Sequence, residues 1–320
     1  MAIIYRTNIL CSSQDMLWGT LGTVRPFSNF HPDRDAVAIQ AAVDSKDTVT
    51  LVRILTNRNN AQRQVIAQTF EELTHKDLAS SLKKCLSGDV ETLLLSLLVP
   101  PVPYEAQRLQ QAMAGLGTDE EALMEILCTR SGKQLEEIKA VYKELYKKDL
   151  AKELKGETSG DFEKLVLALL NKGNVAGVVQ KDIELLSASL NGKKAEAGPW
   201  IDILTSRDSD HLNNVLMGLE METGQTLEHI LEKRFTGDFR LGLSILVQCI
   251  ENPAAFLAKR LSTMKTPVVH GIMVSHSEED LLCIRVAFLK LTGTSLYSAL
   301  QKHFKQDHLQ ALLAICRSED

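Results

Sequence analysis

The chain has few aromatic residues and no excess of positive charge. Only 5% of its 320 residues are aromatic, and the formal net charge is −5 at pH 7. An acidic balance argues against a nucleic-acid-binding protein and against a simple basic membrane patch. If such a chain meets an anionic surface, we expect a cation to lie between the two.

Signals for secretion, membrane insertion and disulfide chemistry are also missing. The first residues, MAIIYRTNILCSSQD, contain no continuous apolar core followed by a small-residue cleavage site, so we expect no signal peptide. No run approaches the roughly 20 apolar residues of a membrane span. The six cysteines lie far apart without a CxxC pair, which predicts buried free thiols in a reducing compartment. We therefore expect a cytoplasmic protein.

Catalytic signatures are absent as well. The sequence contains no nucleotide-binding loop, no nucleophile elbow and no His-Glu-x-x-His. Its eight histidines are scattered, and His303 and His308 form the one close pair near the C-terminus. We therefore predict that the protein is not an enzyme.

What the sequence does contain is a repeated pattern. Four short segments, ILTNR, ILCTR, ILTSR and IMVSH, each end in a basic residue or histidine. Thirty residues later stands a second marker, Gly-Asp three times and Gln-Asp once, followed by an apolar stripe with helical spacing. The paired positions are Arg58 and Gly88, Arg130 and Gly160, Arg207 and Gly237, and His276 and Gln306. Identical spacing in four copies indicates internal repeats.

The residue after each first marker is a good N-cap, which predicts that one helix ends and another begins there. These residues are Asn59, Ser131, Asp208 and Ser277. The second copy divides into about five helices, near residues 104–114, 118–130, 132–146, 148–155 and 160–171. No strand pattern competes, so we predict an all-α protein of four repeats.

The predicted boundaries are an N-terminal tail at 1–30 and repeats at 31–99, 104–172, 180–251 and 253–320. Apolar residues in the tail are irregularly spaced. Two interpretations of the tail stay open: a docking helix for a protein partner, or a segment laid along the protein's own surface.

The second repeat carries the clearest candidate site. Residues 113–121 read MAGLGTDEE, where two glycines bracket a tight loop and Thr118 with Glu121 predicts a capping box. Glycine lets the backbone turn so that successive carbonyl oxygens point to one place. Several carbonyls with one carboxylate make the oxygen-only site that calcium prefers. Glu157, forty residues after Gly117, is the carboxylate that we expect there.

The four repeats, the Gly-x-Gly-Thr loop, the Arg at the end of the second helix and the Ser-Gly-Asp before the fifth resemble the annexins. The resemblance covers about residues 30–320, and GLGTDEEALMEILCTR and KGETSGDFEKLVLALL are close to family wording. It implies four annexin-type repeats packed into one curved disc, with calcium loops on the convex face that bind acidic phospholipid. We expect a cytoplasmic monomer that joins membranes peripherally when calcium rises, with no nucleic-acid partner.

Carried over residue by residue, the resemblance implies a set of calcium ligands. They are the backbone carbonyls of Met113, Gly115 and Gly117 and the carboxylate of Glu157. Thr118 and Glu120 are candidates for a weaker adjacent ion. Water or a lipid phosphate oxygen would complete the shell, so metal and membrane would bind together.

The corresponding loops of the other repeats depart from this pattern. The first, residues 43–47, is two residues shorter, and its acid position is Cys85. The third, residues 191–195, has Arg234 at the acid position, which puts a fixed positive charge where a cation would sit. The fourth has lost about five residues and has His303 there. We predict one intact site and weak calcium-dependent lipid binding, because several sites on one face would multiply membrane affinity by roughly 10²–10⁴.

An alternative to calcium-dependent binding stays open. Calcium binding would then be vestigial, in a protein-binding scaffold or in a protein that meets anionic lipid directly through Lys193, Lys194 and Arg234.

Several buried polar residues are predicted to be structural. The arginines of the repeat marker would tie helix ends to acidic side chains in the core. Glu105 and Glu125 are predicted as structural polar contacts before any role in an ion path.

Overall fold

The computed structural model describes residues 21–317. Over that range the secondary structure is entirely helical and contains no strand, which confirms the predicted all-α class. The twenty helices of this range fall into four successive groups of five. The exact limits of the four repeats stay a prediction.

The helices are numbered in chain order. The first group, α1–α5, contains Pro32–Ser45, Thr48–Thr56, Asn60–Thr74, Leu78–Cys85 and Gly88–Leu98. The second group, α6–α10, contains Pro101–Ala112, Glu120–Thr129, Gly132–Tyr146, Leu150–Glu157 and Gly160–Leu170. The third group, α11–α15, contains Val179–Ser189, Ala197–Ser206, Ser209–Thr223, Leu227–Arg234 and Gly237–Glu251. The fourth group, α16–α20, contains Pro253–Leu261, Thr266–His276, Leu281–Thr292, Leu296–His303 and Gln306–Cys316.

The described chain divides into two compact units. The terminal unit contains residues 21–104 and 257–317, where α1 packs on α2 and α3, and α20 packs on α2 and α5. The central unit is Glu105–Phe256, where α7 packs on α15, and α10 packs on α12. The apolar stripe predicted in the second repeat faces this core, since Leu165, Val166, Leu169 and Leu170 have no exposed surface.

The Gly-Asp or Gln-Asp marker of the four repeats is explained by backbone geometry at the start of each fifth helix. Gly88, Gly160 and Gly237 take left-handed φ values of 66°, 62° and 63°. Glycine adopts this conformation without the steric penalty that a Cβ imposes. Gln306 holds the same position in the fourth repeat with a φ of 53°. The four copies therefore share one turn, including the copy that lacks glycine.

The marker arginines bind buried acidic side chains, as predicted; Arg58 and Arg130 are themselves buried, whereas Arg207 is partly exposed. Arg58 binds Asp35 through two bonds of 2.7 and 2.8 Å, and Arg207 binds Asp182 through bonds of 2.9 and 3.2 Å. Arg130 lies 3.6 Å from Glu105. Burial of the three acids requires such pairing, because an unpaired buried charge is costly.

The histidine in the fourth copy keeps a version of this contact. His276 is buried, and its Nδ1 lies 2.7 Å from Asp280 Oδ1. The fourth copy therefore pairs a histidine with an acid that lies four residues away rather than in the repeat's first helix.

Three of the four predicted N-caps are confirmed. Asn59 and Ser131 form capping boxes with Gln62 and Gln134, and Asp208 accepts a hydrogen bond from the backbone N–H of His211. The prediction for Ser277 is wrong. Its hydroxyl donates to Val274 O, and the next helix begins four residues later, at Leu281.

The end of the predicted tail lies along the terminal unit. The backbone N–H groups of Thr23 and Val24 both donate to Ser277 O, at 2.8 and 2.9 Å. Thr23 Oγ1 donates to Ile315 O at 2.6 Å. The docking-helix interpretation concerns residues 1–20, which lie outside the described residues.

The cysteines of the described residues are free thiols. Cys249 and Cys316 are buried as predicted, whereas Cys85, Cys128 and Cys283 are partly exposed. Cys11 lies outside the described residues.

No single helix between residues 21 and 317 is both long enough and apolar enough to span a membrane. One bent pair, Leu281–Thr292 with Leu296–His303, reaches the required length and composition together across a 76° bend.

Candidate metal centre

The candidate loop of the second repeat connects α6 to α7. It is closed at its base by a backbone hydrogen bond of 2.8 Å from Asp119 N to Ala112 O. Within it, Gly115 and Gly117 take left-handed φ values of 93° and 94°. An L-amino acid is strained in that region, so the two glycines are needed for this path of the chain.

The helix after the loop is capped by a different residue from the predicted one. Asp119 is the N-cap of α7, and its carboxylate accepts a hydrogen bond of 3.0 Å from Ala122 N. The capping box predicted for Thr118 and Glu121 is therefore wrong. The helix begins at Glu120, one position too late for the Thr118 side chain to cap it.

Thr118 instead contacts the carboxylate predicted to complete the site. Its Oγ1 lies 3.3 Å from Glu157 Oε2 and 3.4 Å from the backbone oxygen of Glu157. Glu157 is the last residue of α9 and is exposed to solvent. Two segments almost forty residues apart in sequence are thus brought together with the acid beside the loop.

The oxygen donors present suit a hard divalent cation such as calcium. They comprise the Glu157 carboxylate, the Thr118 hydroxyl and the carbonyls of a loop whose glycines are left-handed. Met113 anchors the loop through its buried side chain. Glu120 lies at the start of α7 and is partly exposed. The assignment of these residues as ligands stays a prediction.

One feature of the loop was not anticipated from the sequence. Leu116, between the two glycines, is the most exposed large apolar side chain of the described residues. The available signal was its position, since an apolar residue at the tip of a glycine loop has no neighbour within the turn to cover it.

The loop of the third repeat has the same ends and a different interior. A backbone hydrogen bond of 3.0 Å from Glu196 N to Ser189 O closes it, as Asp119 N and Ala112 O close the second loop. No residue from 190 to 196 has a left-handed φ. Arg234, the last residue of α14, donates from Nη2 to Gly192 O at 2.6 Å. The guanidinium therefore contacts the third loop; that its charge excludes a cation there stays a prediction.

The other two loops are shorter. In the first repeat, Asp47 N donates to Ala42 O at 2.8 Å, so the closed segment is two residues shorter than in the second. Burial raises the pKa of the Cys85 thiol at its acid position, and the Lys46 ammonium opposes this rise. In the fourth repeat, four residues separate α16 from α17, and His303 Nδ1 lies 2.9 Å from Ala299 O.

Two further polar clusters lie away from the loops. In the central unit, Arg108 bridges Glu105 and Glu125, so these acids make the predicted structural contacts; Arg108 itself was not anticipated. In the terminal unit, one ligand atom each from His276, Glu279 and Asp280 lies within 4.8 Å of the others. This group contains the histidine contact that replaces the arginine–acid pair.

Comparison with known proteins gives the family. The family model described as annexin matches residues 34–97 and 104–169. Annexin A9 of Homo sapiens is 36% identical over 324 residues, which cover 97% of this chain and 93% of that protein. The chain belongs to the annexin family. Among solved structures, annexin III matches this annexin with a TM-score of 0.90 and 35% identity, covering 93% of this chain and 98% of that one.

A chicken annexin V structure matches with a TM-score of 0.86 and 36% identity, covering 93% of this chain and 99% of that one. These likenesses confirm the annexin fold. Annexins are in general calcium-binding, non-enzymatic, cytosolic proteins that associate with acidic phospholipid membranes. The properties of this particular chain depend on which of its loops keep the necessary residues.

Proposed function

We propose that this annexin binds acidic phospholipid membranes through calcium held by the loop of its second repeat, and that it has no enzymatic activity. The observation that carries the proposal is the contact between Thr118 and Glu157, which brings the acid to a closed glycine loop. Bound calcium would supply positive charge shared between the Glu157 carboxylate and a lipid phosphate.

The residues proposed as ligands are those predicted from the family pattern. The carbonyls of Met113, Gly115 and Gly117 and the carboxylate of Glu157 hold the principal ion. Thr118 and Glu120 hold a weaker adjacent ion. Preformed left-handed glycines reduce the ordering cost of binding, because the loop need not change its backbone to expose its carbonyls.

The exposed side chain of Leu116 favours a membrane, rather than a soluble molecule, as the binding partner of this loop. An apolar side chain exposed at the tip of a metal loop would enter the lipid surface when the loop is drawn to it. Full burial of a leucine contributes roughly 1.5–3 kcal/mol. Calcium and Leu116 would then act together, one on the headgroup and the other on the acyl region.

We propose that binding is weak and reversible. The acid position is occupied by Cys85, Arg234 and His303 in the other repeats, none of which supplies a carboxylate. A protein with one working loop lacks the multivalent gain of several loops on one surface. It would therefore be a cytosolic monomer at resting calcium and membrane-associated when calcium rises.

The test is co-sedimentation with phosphatidylserine–phosphatidylcholine vesicles across a calcium titration. We expect Glu157→Gln to raise the calcium needed for half-maximal binding by at least about tenfold, because ligand charge sets calcium affinity. Glu137→Gln is the matched control, since Glu137 is exposed on α8, whose start lies at the end of α7 remote from the loop.

Three results would overturn the proposal. Unchanged calcium dependence in Glu157→Gln would show that the site lies elsewhere. Tight wild-type binding at sub-micromolar calcium would show that more than one loop works. Absence of vesicle binding with calcium and with chelator would support the protein-binding scaffold instead.

A further inference from the structure

We propose that the loop of the third repeat is a calcium-independent site for the phosphate headgroups of acidic phospholipids, in which Arg234 supplies the positive charge. The proposed calcium loop belongs to the second repeat. The two sites are therefore separable by substitution and by chelator.

The two loops correspond position by position. Arg234, Gly192 and Lys193 each lie 77 residues after their counterparts Glu157, Gly115 and Leu116. The residues whose hydrogen bonds close the loops are separated by the same interval. Arg234 therefore ends α14 as Glu157 ends α9, and each contacts the loop of its own repeat, Arg234 at Gly192 and Glu157 at Thr118.

Arg234 binds the carbonyl that corresponds to a predicted calcium ligand. Its Nη2 donates to Gly192 O at 2.6 Å, whereas Gly115 O is the counterpart in the calcium loop. A guanidinium carries five N–H donors in a planar fork. The bond to Gly192 fixes the group beside the loop and leaves donors for phosphate oxygens, which arginine binds in a bidentate manner.

Part of the Arg234 side chain is also buried. Arg234 Nε is buried and has no hydrogen-bond partner among residues 21–317. The residue stands at the C-terminal end of α14, where the helix dipole favours a positive charge. The arginine is thus a positioned cation rather than a freely moving surface side chain.

The surroundings have opposite charge in the two repeats. Residues 190–196 and 232–234 carry four basic side chains, Lys193, Lys194, Lys233 and Arg234, and two acids, a net charge of +2. The equivalent residues 113–119 and 155–157 carry two acids and one lysine, a net charge of −1. The second loop needs a cation before an anionic surface can approach it, whereas the third loop already has one.

A membrane suits this site better than a single soluble anion. Lys193 and Lys194 are exposed on the loop, and Lys233 is exposed beside Arg234. Spread over a loop and a helix end, these charges can meet several headgroups at once. Each basic residue near an anionic lipid surface contributes about 1 kcal/mol, or about fivefold in affinity.

The experiment measures vesicle binding in excess chelator at low salt, with phosphatidylserine–phosphatidylcholine vesicles and with phosphatidylcholine alone. We expect the wild-type protein to bind the former and not the latter. Arg234→Glu should weaken binding by roughly 25-fold, because one favourable charge is lost and one unfavourable charge is gained. Arg234→Gln should weaken it by roughly fivefold. Circular dichroism confirms that each variant is folded.

Lys181→Glu is the matched control. Lys181 is an exposed lysine near the start of α11, about 12 Å along the helix from the end that enters the third loop. It undergoes the same charge change in the same repeat. A loss equal to that of Arg234→Glu would show a general charge effect and overturn the proposal.

Further arms separate this site from the calcium loop and from a free-phosphate site. Glu157→Gln should bind vesicles in chelator at least as strongly as wild type, because it removes a negative charge, and a loss of binding would overturn the independence of the two sites. Inorganic phosphate at millimolar concentration should not displace the vesicles; displacement would identify a soluble phosphate site instead. Unaltered chelator-resistant binding in Arg234→Glu would overturn the further inference alone, while a calcium shift in Glu157→Gln would still support the calcium loop.

Discussion

Two loops of the central unit begin and end alike and are filled differently. Residues 113–119 and 190–196 are each closed by one backbone hydrogen bond between positions seven residues apart. The second-repeat loop has two left-handed glycines and an acid at the end of the neighbouring helix, whereas the third has an arginine bound to a loop carbonyl. The closing hydrogen bond maintains the fold, whereas the residues inside the loop determine which ligand can bind. The interior can therefore change while the closing bond is kept.

The largest expected effect comes from giving the second loop the residue of the third. Glu157→Arg should abolish calcium-dependent vesicle binding, because a positive charge at ligand distance repels a divalent ion and no carboxylate remains. A calcium titration of vesicle co-sedimentation measures this. Glu137→Arg, with the same charge change on exposed α8, should leave the titration unchanged.

A second prediction defines the pH range in which the loops can be compared. In the terminal unit, His270 Nε2 lies 2.7 Å from His308 Nε2, and His308 Nδ1 lies 3.9 Å from Asp89. Burial of the ring is the main cause, and the neighbouring His308 is the second, of a pKa of His270 that is lowered to about 4. The folded protein thus favours neutral His270, and the unfolded chain binds its proton near pH 6.5.

The contribution of His270 to the free energy of unfolding should therefore be fully present above about pH 6.5. It should fall by roughly 3 kcal/mol as the pH is lowered to 4. Urea unfolding at a series of pH values measures the decline, and His270→Gln should flatten it. An identical slope in the variant would contradict the assignment. Loop variants are best compared at neutral pH, where this contribution is constant.

A third prediction separates metal binding from lipid insertion. Leu116→Lys gives the second loop the tip residue of the third, and should weaken vesicle binding at saturating calcium by about two- to thirtyfold, because the lost apolar contact is only partly offset by the added positive charge. The calcium affinity in the absence of lipid, measured by calorimetry, should stay the same. Val178→Lys, at an exposed valine that precedes α11, is the control and should have no effect. A changed calcium affinity in Leu116→Lys would place the residue in the metal site.

The prediction with the smallest expected effect concerns backbone strain rather than charge. Gln306 adopts the left-handed conformation that glycine occupies at the start of the fifth helix in the other three repeats. Gln306→Gly should stabilise the protein by up to about 1 kcal/mol, since relief of strain is partly offset by greater freedom of the unfolded chain. Thermal unfolding measures the change. Destabilisation would mean that the glutamine side chain makes a contact worth more than the strain.

Much of this architecture could be predicted from the sequence because it depends on local pattern. The spacing of thirty residues reflects a turn that recurs before each fifth helix, and the apolar stripes reflect faces buried in a core. The proximity of Glu157 to its loop was predicted through the family pattern, and the contact with Thr118 agrees with it.

What escaped prediction depends on contacts distant in sequence or on a shift of one residue. Thr118 and Asp119 are both good caps, and only the start of α7 decides between them. Ser277 fails as a cap because the chain turns again there, where its carbonyl accepts two bonds from residues 23 and 24. The partner of Arg234 could not be read from spacing alone, because it requires the path of the third loop.

The hydrogen bond that closes each loop has a consequence for how such a protein can change over generations. Because Asp119 N and Glu196 N are satisfied by carbonyls at the loop base, the fold does not rely on a bound ion to hold these turns. The same closing bond is present beside the acid of the second repeat and beside the base of the third, so it does not depend on the charge of that residue. In loops of this kind, a basic side chain encoded in the sequence can take the place of a bound metal ion.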